Sequence, residues 1–203
     1  MANLLSKSII QMKLTNILKR IFDLILAISL LGLFFLPMLL IALIVRLTSS
    51  GPAIYWSTRI GRNSIAFQMP KFRSMLIATP QVATDKLIEP GKYLSPIGSF
   101  LRRSSLDELP QLWSIATGNM SFVGPRPALF NQEELITMRR GLGIDRLRPG
   151  LTGWAQVNGR DELPNLIKVQ FDLEYMKRQS LSFDLKVIWM TFLKVVSQEG
   201  INH

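Results

Sequence analysis

From Leu24 to Val45 the chain reads LILAISLLGLFFLPMLLIALIV, without one charged side chain. No other stretch limits the fold so strongly. At about 22 residues it is long enough to cross the hydrocarbon layer of a bilayer as a helix. A helix that is apolar on every side for that length suits the interior of a small soluble domain poorly. A cleaved leader fits no better, because the run exceeds an ordinary leader core and no A-x-A site follows it.

The flanks of the run set its topology. Lys7, Lys13, Lys19 and Arg20 precede it. Arg46, Arg59, Arg62, Lys71 and Arg73 follow, and the first acid after it is Asp85. The preference of Lys and Arg for the cytoplasmic side would hold both ends on that face. A straight span cannot satisfy both. Pro37 lies inside the run, where proline removes a backbone donor and breaks or kinks a helix. A helix that enters, breaks at Pro37 and returns satisfies both flanks; a plain kinked span is the alternative.

Composition narrows the chemistry. With 24 Lys plus Arg against 14 Asp plus Glu, the chain favours an anionic partner: a membrane surface, a phosphorylated substrate or a nucleic acid. No regular basic–aromatic stripe of the kind that tracks a nucleic-acid strand is present, so nucleic acid is not an expected partner. The absence of cysteine excludes disulfides and thiolate metal sites. The only histidine is the terminal His203. Nucleophile, acid and base work therefore falls to Asp, Glu, Lys, Tyr, Ser or Thr.

The pattern predicts an α+β domain, mainly helical. Residues 1–20 read as a basic amphipathic helix. Residues 53–75 read as two short strands around a Gly61–Asn63 turn, the second limited by Pro70. A loop is expected over 76–98, a helix over about 99–117 and a turn-rich segment over 118–130. A short helix follows in NQEELITMRRGLG, then a loop or hairpin over 146–160 turning at Asn158–Gly159. Residues 163–198 read as helical. The end of that region carries Leu181, Leu185, Trp189, Phe192 and Leu193 beside Lys186 and Lys194. Such a helix suits a membrane interface and equally suits packing on the domain. The expected division is a membrane segment over 1–48 and a cytoplasmic domain over 49–203.

The chemistry-bearing stretch is RRSSLDELP, residues 102–110. Ser105 followed three residues later by Glu108 forms a capping-box pattern, with Asp107 in the first turn. Pro110 conflicts with that frame, and the helix could instead begin near Leu109 with Pro110 at its first position. Either way a carboxylate pair sits at a helix start, where the helix end and Arg102 and Arg103 would favour its ionised form. An ionised aspartate can attack phosphorus or hold a divalent cation. Arg126 between Pro125 and Pro127, Arg148 before Pro149, and Arg160 after Gly159 stand at positions that rigid turns would aim.

KFRSM (71–75), RRSSLDELPQLW (102–113), GNMSFVGPRP (118–127) and RPGLTGWAQVNGR (148–160) together resemble the motifs of the bacterial sugar transferase family. These are monotopic polyprenyl-phosphate phosphoglycosyl transferases, and the likeness covers about residues 19 to 196. The resemblance implies a catalytic pair, Asp107 as nucleophile and Glu108 as its partner. It also implies Mg2+ held at Asp107 and a re-entrant helix broken at Pro37. Lys71, Arg73, Arg102, Arg126, Arg148 and Arg160 are the expected phosphate and substrate contacts. The implied partners are a UDP-sugar, a polyprenyl (undecaprenyl) phosphate and membrane lipid, with a homo-oligomer left open. The implied location is the cytoplasmic face of the bacterial inner membrane. The sequence departs from the family pattern at Ser114, Asn119 and Pro70. A rival reading is a non-enzymatic membrane-anchored basic module that binds anionic lipid or nucleic acid. It accounts for the charge and the apolar run, but not for the acid pair or the turn-held arginines.

Overall fold

The computed structural model describes residues 2–80, 89–159 and 163–197, with the side chains of 2–14 left aside. The chain begins with helix α1 (Ala2–Leu33) and continues, after Phe34, into α2 (Phe35–Thr48). The two are bent by 61°. The break falls at Phe34 rather than at Pro37 itself, and the proline explains why. Pro37 cannot donate to the Leu33 carbonyl, and its ring would collide with that carbonyl in a continuous helix. It occupies the third position of α2, where a helix start needs no amide donor. Two bonds still bridge the corner, from Phe34 N to Leu30 O and from Met38 N to Phe34 O, both 2.8 Å.

Among the described residues no single helix is long and apolar enough to cross a membrane, but the bent pair passes that test together. Its outer surface exposes Ile25, Ile28, Leu33, Leu36, Leu40 and Leu43. So much contiguous apolar surface marks a contact face. The inner surface is fixed to the rest of the chain by polar groups. Buried Lys19 bonds Asp184 at 2.6 Å, and buried Asp23 accepts the Phe122 amide at 3.1 Å. Ala27 and Val45 lie in apolar clusters shared with residues beyond 49.

The expected hairpin forms from β1 (Ile54–Ile60) and β2 (Ala66–Phe72), antiparallel, with Ile54 opposite Phe72 and Ile60 opposite Ala66. Pro70 does not shorten β2, because β1 is the middle strand of the sheet and leaves β2 at an edge, and an edge strand tolerates a missing donor. The 118–130 segment is more ordered than its turn residues suggest. It holds β3 (Ser121–Val123) and β4 (Ala128–Leu129); β4 pairs with β1, and β3 pairs in parallel with β5 (Gly150–Thr152). The loop expected over 76–98 lies partly outside the described residues; an isolated bridge between Met75 and Leu94 joins its ends.

The helix expected over 99–117 is broken into α3 (Gly98–Arg103), a 3-10 turn (Leu106–Glu108) and α4 (Gln111–Thr117). α5 (Glu133–Gly141) follows β4. The Asn158–Gly159 hairpin does not form. Those residues end α6 (Trp154–Gly159), where Asn158 Nδ2 bonds the Trp154 carbonyl one turn back. Burial of Ala155 and Val157 overrides the turn signal. The C-terminal region divides into α7 (Asn165–Arg178) and α8 (Leu181–Ser197). α8 packs on the domain, the second of the two readings of its sequence: Phe183 and Val187 are buried, while Leu185, Trp189 and Phe192 face outward.

Candidate active site

Asp107 and Glu108 occupy the 3-10 turn between α3 and α4. A continuous helix there would need a Pro110 amide to bond the Leu106 carbonyl, and proline has none. The capping box is absent. Ser105 takes a left-handed conformation, φ 56°, and its side chain makes no cap bond. Pro110 instead precedes the first turn of α4, so the pair stands just outside a short helix rather than at the start of a long one.

α4 is held from its other end. Arg20, on α1, donates to the Ile115 and Ala116 carbonyls at 2.6 and 2.8 Å, and Arg148 donates to the Gly118 carbonyl at 3.0 Å. Cations there satisfy the open carbonyls of the helix end. The acid turn is thereby fixed relative to the apolar α1–α2 face.

The two carboxylates live differently. Lys71 of β2 reaches Glu108 Oε1 at 2.7 Å, and Arg126 Nη2 approaches the same oxygen at 3.4 Å. Burial opposes the charge on Glu108, but Lys71 and Arg126 overcome it and hold the carboxyl well below its usual range, at about 2. Asp107 is only 8% exposed and is not the oxygen those two cations bond. Its burial pushes the carboxyl up to about 6. Lys71 opposes that rise, Glu108 adds to it, and Arg102 and Arg126 oppose it. The expectation that the helix end and nearby arginines favour ionised Asp107 meets a stronger opposing influence: Arg102 lowers the carboxyl, but desolvation is the largest cause and raises it. At neutral pH the group is still mainly a carboxylate, but a poorly solvated one, which favours nucleophilic attack.

Lys71, Arg102 and Arg126 thus converge on the acid pair. Arg102 also places Nη1 3.3 Å from Met75 Sδ. Arg73 and Arg148 do not converge there. Arg73 is buried, and its Nη2 bonds Ser49 O and Oγ at 2.9 and 2.8 Å, closing the end of α2. Burial, then Arg46, lowers its proton affinity. Arg148 serves the end of α4, as above. Arg160 lies outside the described residues. A shallow recess behind the Pro125–Arg126–Pro127 turn is lined by Gly61, Ser64, Arg126, Arg139 and Asp145. It adjoins the arginine turn and does not include the acid pair.

For a divalent cation, no group of three or more His, Cys, Asp or Glu side chains occurs among the described residues. A magnesium site of the open kind needs only one or two carboxylates that act with substrate phosphates. Asp107, the acid not bonded by Lys71 and Arg126, fits such a role.

Sequence reasoning missed three buried charge systems: Lys19–Asp184, Asp23–Phe122 and Arg139–Asp172. A signal existed for the last. Asp172 falls on the stripe Val169, Asp172, Leu173, Met176, which is otherwise apolar. A charge on a core-facing stripe calls for a buried partner.

The fold and site define a class: a domain that carries an acid pair, one member buried and one half-buried, among cations, tied to a bent pair of apolar helices. A family model described as bacterial sugar transferase matches residues 14–198. The chain belongs to the bacterial sugar transferase family. It is 40% identical over 186 residues to the UDP-glucose:undecaprenyl-phosphate glucose-1-phosphate transferase of Escherichia coli (strain K12), covering 88% of this chain and 40% of that protein. It is 36% identical over 185 residues to the uncharacterized sugar transferase EpsL of Bacillus subtilis (strain 168), covering 91% of this chain and 90% of that protein. It is 36% identical over 198 residues to the exopolysaccharide production protein ExoY of Rhizobium meliloti (strain 1021), covering 90% and 87%. The chain thus spans about two-fifths of the Escherichia coli protein and most of the other two.

Proposed function

We propose that the chain transfers a sugar 1-phosphate from a UDP-sugar to a polyprenyl phosphate, the first membrane step of a surface glycan. The observation that carries this reading is the unequal acid pair: Glu108 engaged by Lys71 and Arg126, and Asp107 buried beside them and spared for reaction. Several relatives are named for transfer of glucose 1-phosphate from UDP-glucose to undecaprenyl phosphate, which supports the same donor and carrier class.

In the first step an Asp107 carboxylate oxygen attacks the phosphorus that bears the sugar. A new P–O bond forms, the diphosphate P–O bond breaks, and UMP leaves. In the second, an oxygen of the polyprenyl phosphate attacks that phosphorus. The bond to Asp107 breaks, which frees the carboxylate and releases a polyprenyl diphosphosugar. Lys71, Arg102 and Arg126 offset charge on the phosphates, and the planar fork of Arg126 orients one of them. Glu108 holds Lys71 and Arg126 in place. Mg2+, held at Asp107 with the diphosphate, would add charge neutralisation.

The bent apolar pair enters the membrane from the cytoplasmic side and returns to it, which places the acid turn beside the carrier phosphate. α8 lies along the same surface through Trp189 and Phe192. The test is UMP release by washed membranes supplied with undecaprenyl phosphate and a panel of UDP-sugars, UDP-glucose and UDP-galactose first. UMP release with at least one donor, lost in Asp107→Asn, supports the reading. No release across the panel, or full release by Asp107→Asn, overturns it and leaves a lipid-binding module.

A further inference from the structure

The turn that carries Arg126 is gripped in an unusual way. Pro125 and Pro127 have no amide hydrogen, so carbonyls dominate what a neighbour can hold. All three carbonyls are held, each by a different element. Gly150 N of β5 bonds Pro125 O at 2.9 Å. Arg139 Nη1 of α5 bonds Arg126 O at 2.8 Å, and Arg59 Nη1 of β1 bonds Pro127 O at 3.3 Å. The turn is also anchored on its near side. A Cβ on Gly124 would lie 2.3 Å from the Arg148 carbonyl, so only glycine permits that approach.

The Arg139 grip is the one that depends on buried charge. Its Nε and Nη2 both bond Asp172 Oδ2 of α7, at 2.9 and 2.7 Å. Arg139 is 9% exposed and Asp172 is 1% exposed. Around them lie Leu135, Ile144 and Val169. A buried ion pair is seldom better for stability than two apolar side chains of the same volume. The pair nonetheless leaves one guanidinium nitrogen over, and that nitrogen goes to the backbone of the arginine that reaches Glu108.

We propose that Arg139 and Asp172 are positioning residues for the reaction, setting the reach of the Arg126 guanidinium through the Arg126 carbonyl. This rests on the reading of Arg126 as a phosphate ligand. Asp172 orients Arg139, Arg139 fixes the peptide of Arg126, and the fixed peptide with its two prolines sets the direction in which the Arg126 side chain leaves the backbone. Neither residue needs to touch substrate.

The test is a cycle of variants in the full chain in membranes, read as UMP release and melting temperature. Arg139→Met with Asp172→Leu keeps volume and removes both charges. The expected result is a melting temperature within a few degrees of the parent and turnover reduced tenfold or more. Introduced into Arg126→Ala, the same pair of changes lowers turnover less than twofold further, because the group it positions is already gone. A similar loss in both backgrounds overturns the proposal and makes the pair structural. So does parental turnover in the double variant. If the double variant melts far below the parent, Asp172→Asn is used in both backgrounds with the same criterion. Asp107→Asn is run alongside: its continued UMP release would overturn the functional reading itself. Loss in Asp107→Asn and Arg126→Ala with none in the Arg139/Asp172 variants would overturn only this proposal.

Discussion

Asp107→Asn is expected to make the protein more stable at neutral pH while removing its chemistry. Asp107 is buried, and its carboxyl is raised from 3.8 to about 6. A carboxyl whose folded pKa is raised favours folding while protonated. That contribution is complete below pH 4 and is lost as pH rises through about 6. Roughly two units at about 1.4 kcal/mol each make the cost of ionised Asp107 about 3 kcal/mol at pH 7. Asparagine keeps the shape and is neutral at every pH, so it avoids that cost. For a chain of this size the gain amounts to roughly 6–12 °C in melting temperature. Melting curves of the parent and Asp107→Asn, taken every half unit from pH 4 to 8 in one detergent, provide the assay. The two curves should nearly coincide at pH 4, separate between pH 4 and 6, and run parallel above. A variant less stable than the parent at pH 7, or an offset that ignores pH, would refute the reasoning that desolvation dominates at this residue.

Glu108→Gln should act in the opposite direction. Its folded pKa lies below the ordinary value, so its contribution is present above about pH 4.5 and lost as pH falls towards 2; the variant should lose about 2–4 kcal/mol at pH 7 by leaving Lys71 and Arg126 without their acid, read by the same melts. Arg126→Lys should lower UMP release at least tenfold, since an ammonium cannot reproduce the fork; near-parental turnover would count against a phosphate contact. Gly51→Ala should cost about 1–3 kcal/mol, because φ there is +104° and the new Cβ would lie 2.3 Å from Arg73 Nη1; an unchanged melting temperature would show that the α2 exit relaxes freely. Pro37→Ala should restore the bond to the Leu33 carbonyl and straighten the α1–α2 corner. Cysteines at Asn16 and Ser64 should both resist an impermeant thiol reagent in intact cells carrying the parent, and one should become reactive in the variant.

The acid pair, its cationic neighbours and the apolar run were legible in the chain because each is local. A charge-free stretch with Pro37 dictates a broken helix wherever it folds, since the missing amide is a property of the residue. The Asp107–Glu108 pair beside Arg102, and Arg126 between two prolines, are likewise set by adjacency. Strand alternation placed the β1–β2 hairpin correctly, whereas Asn158–Gly159 misled because burial of Ala155 and Val157 outweighed a turn preference. Which carboxylate is spared could not be read from the sequence. Glu108 is engaged because Lys71, 37 residues earlier, and Arg126, 18 residues later, arrive at the same oxygen. Asp107 is raised because the fold removes water from it. The same holds for Arg73 and Arg148, which look like phosphate ligands in sequence but close the ends of α2 and α4 in space. Local sequence fixes which groups are available and how the backbone breaks. Desolvation and long-range pairing depend on distances between segments far apart in the chain, and only the tertiary structure sets those distances.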